Sequence, residues 1–185
     1  MKIFPTTKSE LIENLINFSE TELSSYSKKR NFDFGHPHKN VSKLSPYLRT
    51  RFISEEEVLK IAISRNNIKT IEKFIEEIFW RTYWKGWLEN HPWIYEEYLN
   101  KNKNQLLPKK TGIKCFDYWK EELLDTGYLH NHSRMWFASI WIFTLGYSWQ
   151  SGADFFKRNL LDFCPASNTL GWRWVAGLQT INKPY

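Results

Sequence analysis

Apolar residues recur along most of the chain at intervals of three and four positions, the spacing of an amphipathic helix. Residues 9–24 and 68–90 show this spacing most clearly. The alternation of apolar and polar residues that marks a half-buried strand does not stand out anywhere. Shorter helices are predicted over residues 93–101, 114–126, 130–145 and 151–161, with a last helical turn at 172–178. The pattern therefore predicts an all-α protein.

Local signals place several helix ends. Ser45-Pro46 predicts a helix start, because Ser caps helices and Pro is favoured in the first turn. Ser54 and Glu57 form a capping box, and Gly127 and Gly146 predict two helix ends. Two stretches have no clear helical spacing: residues 25–41, a polar and turn-rich loop or linker, and residues 162–172, an irregular segment.

Composition narrows the class of protein. With 185 residues the chain is long enough for one domain with its own core. Aromatic residues make up 17% of the chain, including 10 Trp, which indicates either a packed aromatic interior or a surface that stacks on flat ligands. A net charge of +6 suits a polyanionic partner, and it is equally compatible with a plain soluble protein.

The cysteines and apolar runs bear on location. Cys115 and Cys164 form no CxxC pair, which argues against a zinc site and a disulfide framework. We expect a reducing, cytoplasmic compartment. The N-terminal residues lack the apolar core of a signal peptide. The apolar run 135–147 has 13 residues, whereas a membrane-spanning helix needs about 20, so we expect no membrane segment. No motif predicts a metal ion.

A polar cluster, residues 130–134, runs directly into the apolar run. Arg134 can be accommodated there if it has an acidic partner on a neighbouring element. Asp162 is the candidate, because it ends an apolar helix and precedes the irregular stretch. The alternative is a surface arginine near a helix start.

Two further groups of residues suggest ligand binding. Ser42, Lys43 and Ser45 surround a helix start and could hold phosphate, although many such helix starts bind nothing. Glu77, Trp80 and Arg81 share one side of the long helix. Together with Trp172 and Trp174 they provide material for a flat aromatic cleft that stacks on a flavin or an unstacked base. The alternative is a tryptophan-rich core.

Four ordered segments resemble motifs of the helical FAD-binding domain of the DNA photolyase and cryptochrome family. They are VSKLSPYLRTRFIS (41–54), FIEEIFWRTYW (74–84), TGYLHNHSRMWFAS (126–139) and LLDFCPASNTLGWRWVAG (160–177). The resemblance runs from about residue 26 to residue 185. It implies an N-terminal helix over residues 1–25 followed by one compact FAD-binding helical domain over residues 26–185, short at its C-terminus relative to the family.

The resemblance implies FAD as the cofactor and assigns roles to residues. Asn168 faces flavin N5 and, unlike Asp, does not readily give it a proton. The implied cofactor-binding residues are Tyr26, Ser42, Lys43, Leu44, Ser45, Phe74, Arg81, Asn131, Arg134, Asp162, Cys164 and Asn168. The implied substrate-binding residues are Glu77, Trp80, Arg81, Asn131 and Trp174, and the implied catalytic residues are Glu77, Asn131, Trp149 and Trp172.

The same resemblance implies an activity and a partner. A photolyase would repair pyrimidine dimers in single- or double-stranded DNA by light-driven electron transfer from reduced FAD. Trp172 and Trp149 match the first two members of an electron-transfer chain, and Tyr98 and Trp119 are candidates for the third. The alternatives are a cryptochrome-like blue-light sensor and an FAD-binding protein without repair activity.

Some positions depart from the family pattern. Cys164 stands in place of a second Asp, His132 in place of Arg, and Thr82 in place of Glu. The family's α/β antenna domain has no counterpart in these residues. A second chain, or a homodimer, that completes the flavin pocket is therefore a further expectation.

Overall fold

The computed structural model describes residues 4–101 and 107–180. In these ranges the chain forms ten α-helices and no strand, so the predicted all-α class is confirmed. The helices are α1 (Lys8–Thr21), α2 (Tyr26–Lys29), α3 (Ser45–Arg49), α4 (Glu55–Ile63), α5 (Ile68–Glu89), α6 (Pro92–Asn100), α7 (Lys114–Thr126), α8 (Asn131–Ser139), α9 (Trp149–Asn159) and α10 (Pro165–Val175). A 3₁₀ turn, Leu23–Ser25, precedes α2, and a π-helical turn, Ile140–Thr144, follows α8.

The predicted helix ends are present where a side chain or a glycine specifies them. Ser54 Oγ accepts a hydrogen bond from Glu57 N at 3.1 Å, and the Glu57 carboxylate accepts one from Ser54 N at 2.9 Å. Gly127 ends α7 with φ +69°, a left-handed conformation that suits glycine. Helix α3 begins at Ser45, as the Ser-Pro pair predicts.

The prediction for residues 162–178 is wrong. Most of the stretch expected to be irregular belongs to α10, which ends at Val175. Pro165 lies in its first turn, where proline costs no helical hydrogen bond. Leu170 and Trp172 lie on different sides of this helix, and both are buried. Burial of these large side chains outweighs the weak helix propensity of the Ser, Asn, Thr and Gly residues of α10.

Two smaller differences concern helix continuity. The predicted loop at 25–41 contains α2, a single helical turn. The predicted helix at 130–145 begins as α8 and then widens into the π-helical turn before Leu145. Hydrophobic spacing does not distinguish these variants, because they preserve nearly the same buried face.

The chain divides into two compact units, Met1–Thr82 and Tyr83–Tyr185, with the division inside α5. In the first unit α1 packs on α4, and Phe74 and Ile78 of α5 join the same core. In the second unit α10 packs against α6, α8 and α9. The expected organisation into residues 1–25 and a single domain over 26–185 stays a prediction. Among the described helices, none is long and apolar enough to span a membrane.

Candidate functional site

A buried ion pair joins the first turns of α8 to the segment before α10. Arg134 donates to the Asp162 carboxylate twice, from Nη1 to Oδ1 at 3.0 Å and from Nη2 to Oδ2 at 2.9 Å. Its Nε donates to the Leu129 carbonyl oxygen at 3.0 Å. The Asp162 side chain is only 4% exposed. The structure therefore brings together the two residues that the sequence pairs, and it fixes the guanidinium with three hydrogen bonds.

A close approach of two loops positions this pair. The Gly127 carbonyl oxygen accepts a hydrogen bond from Leu161 N at 2.9 Å. A Cβ atom at position 127 would lie 2.6 Å from Leu161 Cγ, and the positive φ of this residue also disfavours a side chain. Glycine therefore allows the chain to pass close enough for Asp162, the next residue, to reach Arg134.

Arg134 remains charged in this setting. Burial acts to lower the pKa of the guanidinium, but the charge of Asp162 and its hydrogen bonds outweigh that effect, and the net shift of the pKa is upward. The Tyr128 ring lies 5.3 Å from Arg134 Cζ, within cation–π range. A permanent positive group is thus held between a carboxylate and an aromatic ring.

The first turns of α10 carry two of the predicted cofactor-binding residues. Asn168 Nδ2 donates to the Ala153 carbonyl oxygen at 2.9 Å. Asn168 Oδ1 accepts no hydrogen bond within the described residues, although the residue is only 9% exposed. This amide oxygen can accept a hydrogen bond from water or from a ligand. Cys164 is buried at the N-cap position and makes no capping bond there.

Trp172 is enclosed by aromatic rings and by a glycine. The Phe156 and Trp141 rings meet it edge-on, with centroid distances of 5.0 and 5.9 Å. A Cβ atom at position 152 would overlap the Trp172 ring, so Gly152 is required for α9 and α10 to pack this closely. The buried indole Nε1 has no hydrogen-bond partner in the described ranges.

Trp149 is buried against a second aromatic group. Its ring stacks on Tyr98 with centroids 6.0 Å apart, and Tyr98 in turn lies 5.5 Å from Tyr95. The other candidate for a third relay residue, Trp119, stacks instead on Trp136 at 5.8 Å. Of the two candidates, the structure places Tyr98 against Trp149.

In the first unit, Tyr26, Phe74 and Glu77 lie together. The Phe74 and Tyr26 rings meet edge-on at 5.4 Å. Glu77 Oε1 accepts a hydrogen bond from Arg30 Nη1 at 2.5 Å. Burial, and then the nearby Glu77 carboxylate, raise the pKa of Tyr26 to about 12, so its hydroxyl stays protonated at neutral pH.

The predicted phosphate-binding segment precedes and begins α3. The hydroxyl groups of Ser42 and Ser45 have no hydrogen-bond partner among the described residues. Lys43, with φ +52°, donates from Nζ to the Pro37 carbonyl oxygen at 2.8 Å, and burial lowers the pKa of its amine. Leu44 is buried in the core of the unit. Two hydroxyl groups are therefore available to a ligand, while the lysine is held by the loop.

The predicted substrate-binding residues are distributed over both units. Trp80 is exposed on α5, and Arg81 beside it has a buried Nε without a hydrogen-bond partner in the part of the chain described. Asn131 is exposed as the first residue of α8, and Trp174 is half-buried on α10. A cleft formed jointly by Trp80 and Trp174 stays a prediction.

A groove in the first unit contains none of these residues. This groove, of about 550 Å³, lies between α4 and α5 and is lined mainly by Leu59, Ile63 and Phe79. Glu55 and Glu56 lie at its border. Arg51 and Lys60 pair with these two carboxylates, and the candidate site rests on the residues described above, outside this groove.

Considered separately, the residues of each unit have groups that suit parts of a flavin nucleotide. The two serine hydroxyl groups suit phosphate oxygens, and a fixed guanidinium suits the polar edge of a flavin. Arg81 Nε is a buried donor that the described protein atoms leave unsatisfied, and Asn168 Oδ1 accepts no hydrogen bond from them. Such groups are expected where a ligand completes the hydrogen bonding.

Comparison with known proteins identifies the family. The family model for the FAD binding domain of DNA photolyase matches residues 74–185, more than half of the chain. The protein therefore belongs to this family, as its sequence motifs predict, and FAD is the cofactor of the family.

Individual relatives agree with this assignment. The deoxyribodipyrimidine photo-lyase of Alkalihalophilus pseudofirmus is 30% identical over 187 residues, which cover 94% of this chain and 38% of that protein. The enzyme of the same name from Escherichia coli is 26% identical over 199 residues, which cover 98% of this chain and 42% of that protein. The chain thus spans about two fifths of the length of these curated relatives.

Solved structures agree in fold. A class III photolyase from Agrobacterium tumefaciens matches with a TM-score of 0.76 and 28% identity, over 96% of this chain and 39% of that one. A cryptochrome from Synechocystis matches with a TM-score of 0.82 and 23% identity, over 98% of this chain and 41% of that one. The second likeness is evidence for the fold alone.

Sequence analysis missed three residues that shape the site. Arg30 pairs with Glu77 across 47 positions, and its place in a run of basic residues gives no sign of that partner. Gly127 was recognised as a helix end but not as a point of close contact. Gly152 lies inside a predicted helix, where an isolated glycine is a signal for close packing.

Proposed function

We propose that this protein binds FAD and acts as a photolyase on pyrimidine dimers in DNA. The observation that carries the proposal is the buried Arg134–Asp162 pair, whose two hydrogen bonds hold a permanent charge in one orientation. A buried ion pair is weak evidence for stability. It is better explained by a ligand that requires a fixed charge at this place. Membership of the family supplies the identity of that ligand.

FAD, when bound in its reduced form, supplies light-driven one-electron transfer. The chain contributes binding, orientation and the exclusion of water. The Ser42 and Ser45 hydroxyl groups would hold the phosphates, with Tyr26, Lys43 and Leu44 beside them. Phe74 and Arg81 would hold the rest of the nucleotide. Asn131, Arg134, Asp162, Cys164 and Asn168 would line the flavin.

Two features of the second unit would set the electronic environment of a bound flavin. Asn168 presents an amide, which has no acidic proton to give to the flavin, and so it would favour the fully reduced anionic state of a bound FAD. Trp172 and Trp149 are proposed as an electron relay, with Tyr98 next in line because it stacks on Trp149 at 6.0 Å. Enclosure of Trp172 by rings keeps water away from it.

The proposed substrate contacts come from both units. Glu77 would hold the flipped pyrimidine dimer by hydrogen bonds, because its carboxylate is oriented by Arg30. Trp80 and Trp174 would stack on the dimer, and Arg81 and Asn131 would contact its polar edges. A damaged, poorly stacked step costs less to flip than an intact one, which favours the damaged substrate.

The test combines a spectrum with a repair assay. We expect the purified protein to carry FAD and to remove cyclobutane dimers from an oligonucleotide only under blue or near-UV light. Glu77→Ala should retain FAD and lose most of the repair, because it removes a proposed substrate contact and leaves every residue assigned to FAD in place. Repair by this variant at the parent rate would exclude Glu77 from the site.

Glu76→Ala is the matched control, because Glu76 adjoins Glu77 on α5 and pairs with Lys73 at 2.6 Å. Its repair rate should equal that of the parent. A yellow protein that reduces under light without removing dimers would contradict the repair activity and support a light sensor. A protein that binds no FAD would contradict the whole proposal.

The free Cys115 and Cys164 support a further proposal, that the protein works in a reducing compartment.

A further inference from the structure

Two phenylalanine rings project from the loop between α2 and α3. Phe32 is 59% exposed and Phe34 is 66% exposed. Their ring centroids are 6.1 Å apart and their planes differ by 20°, so they stack on each other. None of the residues assigned to the flavin or the dimer lies between them. An exposed aromatic pair of this kind indicates a surface that binds something.

Buried polar contacts hold the loop in this shape. Asn40 is buried and donates from Nδ2 to the carbonyl oxygens of Lys29 and Phe32, at 3.0 and 2.9 Å. Asp33, between the two rings, accepts from Gly35 N at 2.9 Å and lies 3.2 Å from the buried His38. The polar side chain thus turns inward while the neighbouring rings turn outward. The rings are therefore presented by an ordered loop.

The charge around the rings is positive. Lys28 and Lys39 are exposed and form no ion pair with any described residue. Lys28 is close to Phe32 along the chain. Lys39 is close to Phe32 across the loop, because the hydrogen bonds of Asn40 hold the neighbouring residue against the carbonyl groups of Lys29 and Phe32. The one carboxylate of the loop, on Asp33, is turned inward.

We propose that this loop binds single-stranded nucleic acid, with unpaired bases stacking on Phe32 and Phe34 and phosphates contacting Lys28 and Lys39. Aromatic faces accept any base, and lysines beside them attract the backbone. A duplex keeps its bases stacked inside and cannot use the rings in this way. A protein partner would favour a wider apolar face without lysines at its edge. The inference does not depend on FAD or light.

The test is binding of a fluorescein-labelled thymidylate strand of about twelve nucleotides, measured by anisotropy in the dark with the full chain. Phe32→Leu/Phe34→Leu keeps the apolar volume and removes the π faces, and it should weaken binding by at least about 10-fold. Phe32→Tyr/Phe34→Tyr should bind like the parent. Lys28→Ala/Lys39→Ala should reduce the slope of log K against log salt concentration by about 1.4, because each phosphate contact to a single strand contributes about 0.7.

Phe143→Ala is the matched control, because Phe143 is 61% exposed and lies in the second unit. It should bind like the parent. Parent-like binding by the Leu double variant, or equal weakening by Phe143→Ala, would overturn the proposal. So would a duplex that binds as tightly as the single strand. A uridylate strand of the same length should bind like thymidylate, because ring stacking and phosphate contacts do not involve the 2′-hydroxyl, and a preference of more than about 10-fold for either would place binding elsewhere.

The outcomes separate this inference from the proposed repair. If single-strand binding depends on Phe32 and Phe34 but no dimers are lost in light, the proposed role of the loop would be supported and the proposed repair activity contradicted. Dimer loss in light with a Leu double variant that binds like the parent would support repair and overturn the loop. If loss of the rings changed only self-association in sedimentation, with strand binding intact, the loop would be a protein-docking surface and the proposal would be wrong.

Discussion

Each compact unit contains an arginine–carboxylate pair, and the two pairs are held very differently. Arg134 makes two hydrogen bonds to Asp162, and the two side chains are 21% and 4% exposed, so the main difference in burial lies at the acid. Arg30 makes one to Glu77, and the two side chains are 26% and 31% exposed. Both pairs join distant parts of the chain. The first is a fixed part of the fold, whereas the second can open into water.

The difference matches the roles proposed for the two pairs. A group that sets the charge beside a cofactor must not move, and burial with two parallel hydrogen bonds prevents movement. A group that receives a substrate must be able to exchange partners, and partial exposure keeps that exchange inexpensive. We therefore expect substitutions in the Arg134–Asp162 pair to lower the free energy of unfolding strongly. Substitutions in the Arg30–Glu77 pair should lower it only weakly.

The largest effect is expected from Arg134→Ala. This substitution leaves the Asp162 carboxylate buried without its partner, which should lower the free energy of unfolding by about 3–5 kcal/mol. Urea denaturation followed by tryptophan fluorescence measures the loss. Arg158→Ala removes an exposed pair with Asp154 in the same unit, and it should cost less than about 0.5 kcal/mol. Equal losses in the two variants would refute the distinction between fixed and open pairs.

An intermediate effect is expected from Gly127→Ala. The added Cβ would meet Leu161 and require a left-handed backbone, which together should cost about 1–3 kcal/mol. FAD affinity should fall as well, because Asp162 is displaced from Arg134. Gly86→Ala is the control, since a Cβ there meets nothing within 4 Å inside α5. That control should be neutral or gain up to about 1 kcal/mol. A Gly127→Ala protein with unchanged stability would show that the close approach is not needed.

The smallest effect is expected from Arg30→Ala. Loss of a half-exposed ion pair should cost less than about 1 kcal/mol, and about 1 M salt should abolish the difference from the parent by screening. The cost of Arg134→Ala should persist in the same salt, because its pair is buried. Urea denaturation at low and high salt measures both. A salt-independent loss for Arg30→Ala would mean that this pair is also a fixed part of the fold.

Sequence signals predicted helix starts and ends correctly where only the residues of one helical turn determine them. The capping box at Ser54, the start at Ser45 and the end at Gly127 need only neighbouring residues. The prediction failed at α10, where Ser, Asn, Thr and Gly residues disfavour a helix locally. There the burial of Leu170 and Trp172 decides, and burial depends on residues far along the chain.

The same contrast between local signals and long-range contacts holds for the candidate site. The Arg134–Asp162 pair was predicted because an arginine in an apolar segment needs an acid, and the number of acids at the ends of apolar helices is small. The Arg30–Glu77 pair was missed, because a basic run beside a polar loop normally faces water. Its formation depends on the path that places the loop beside α5.

The sequence by itself determined the helical class, several helix ends and the family, because hydrophobic spacing, capping residues and ordered motifs are local properties of the chain. The tertiary structure alone decided that α10 is a helix, that Glu77 pairs with Arg30, and that Gly127 and Gly152 admit close contacts. The physical reason is that burial and ion pairing depend on which surfaces meet in space. Arg30 and Glu77 are 47 positions apart, and the residues around each of them give no local signal that the two side chains pair.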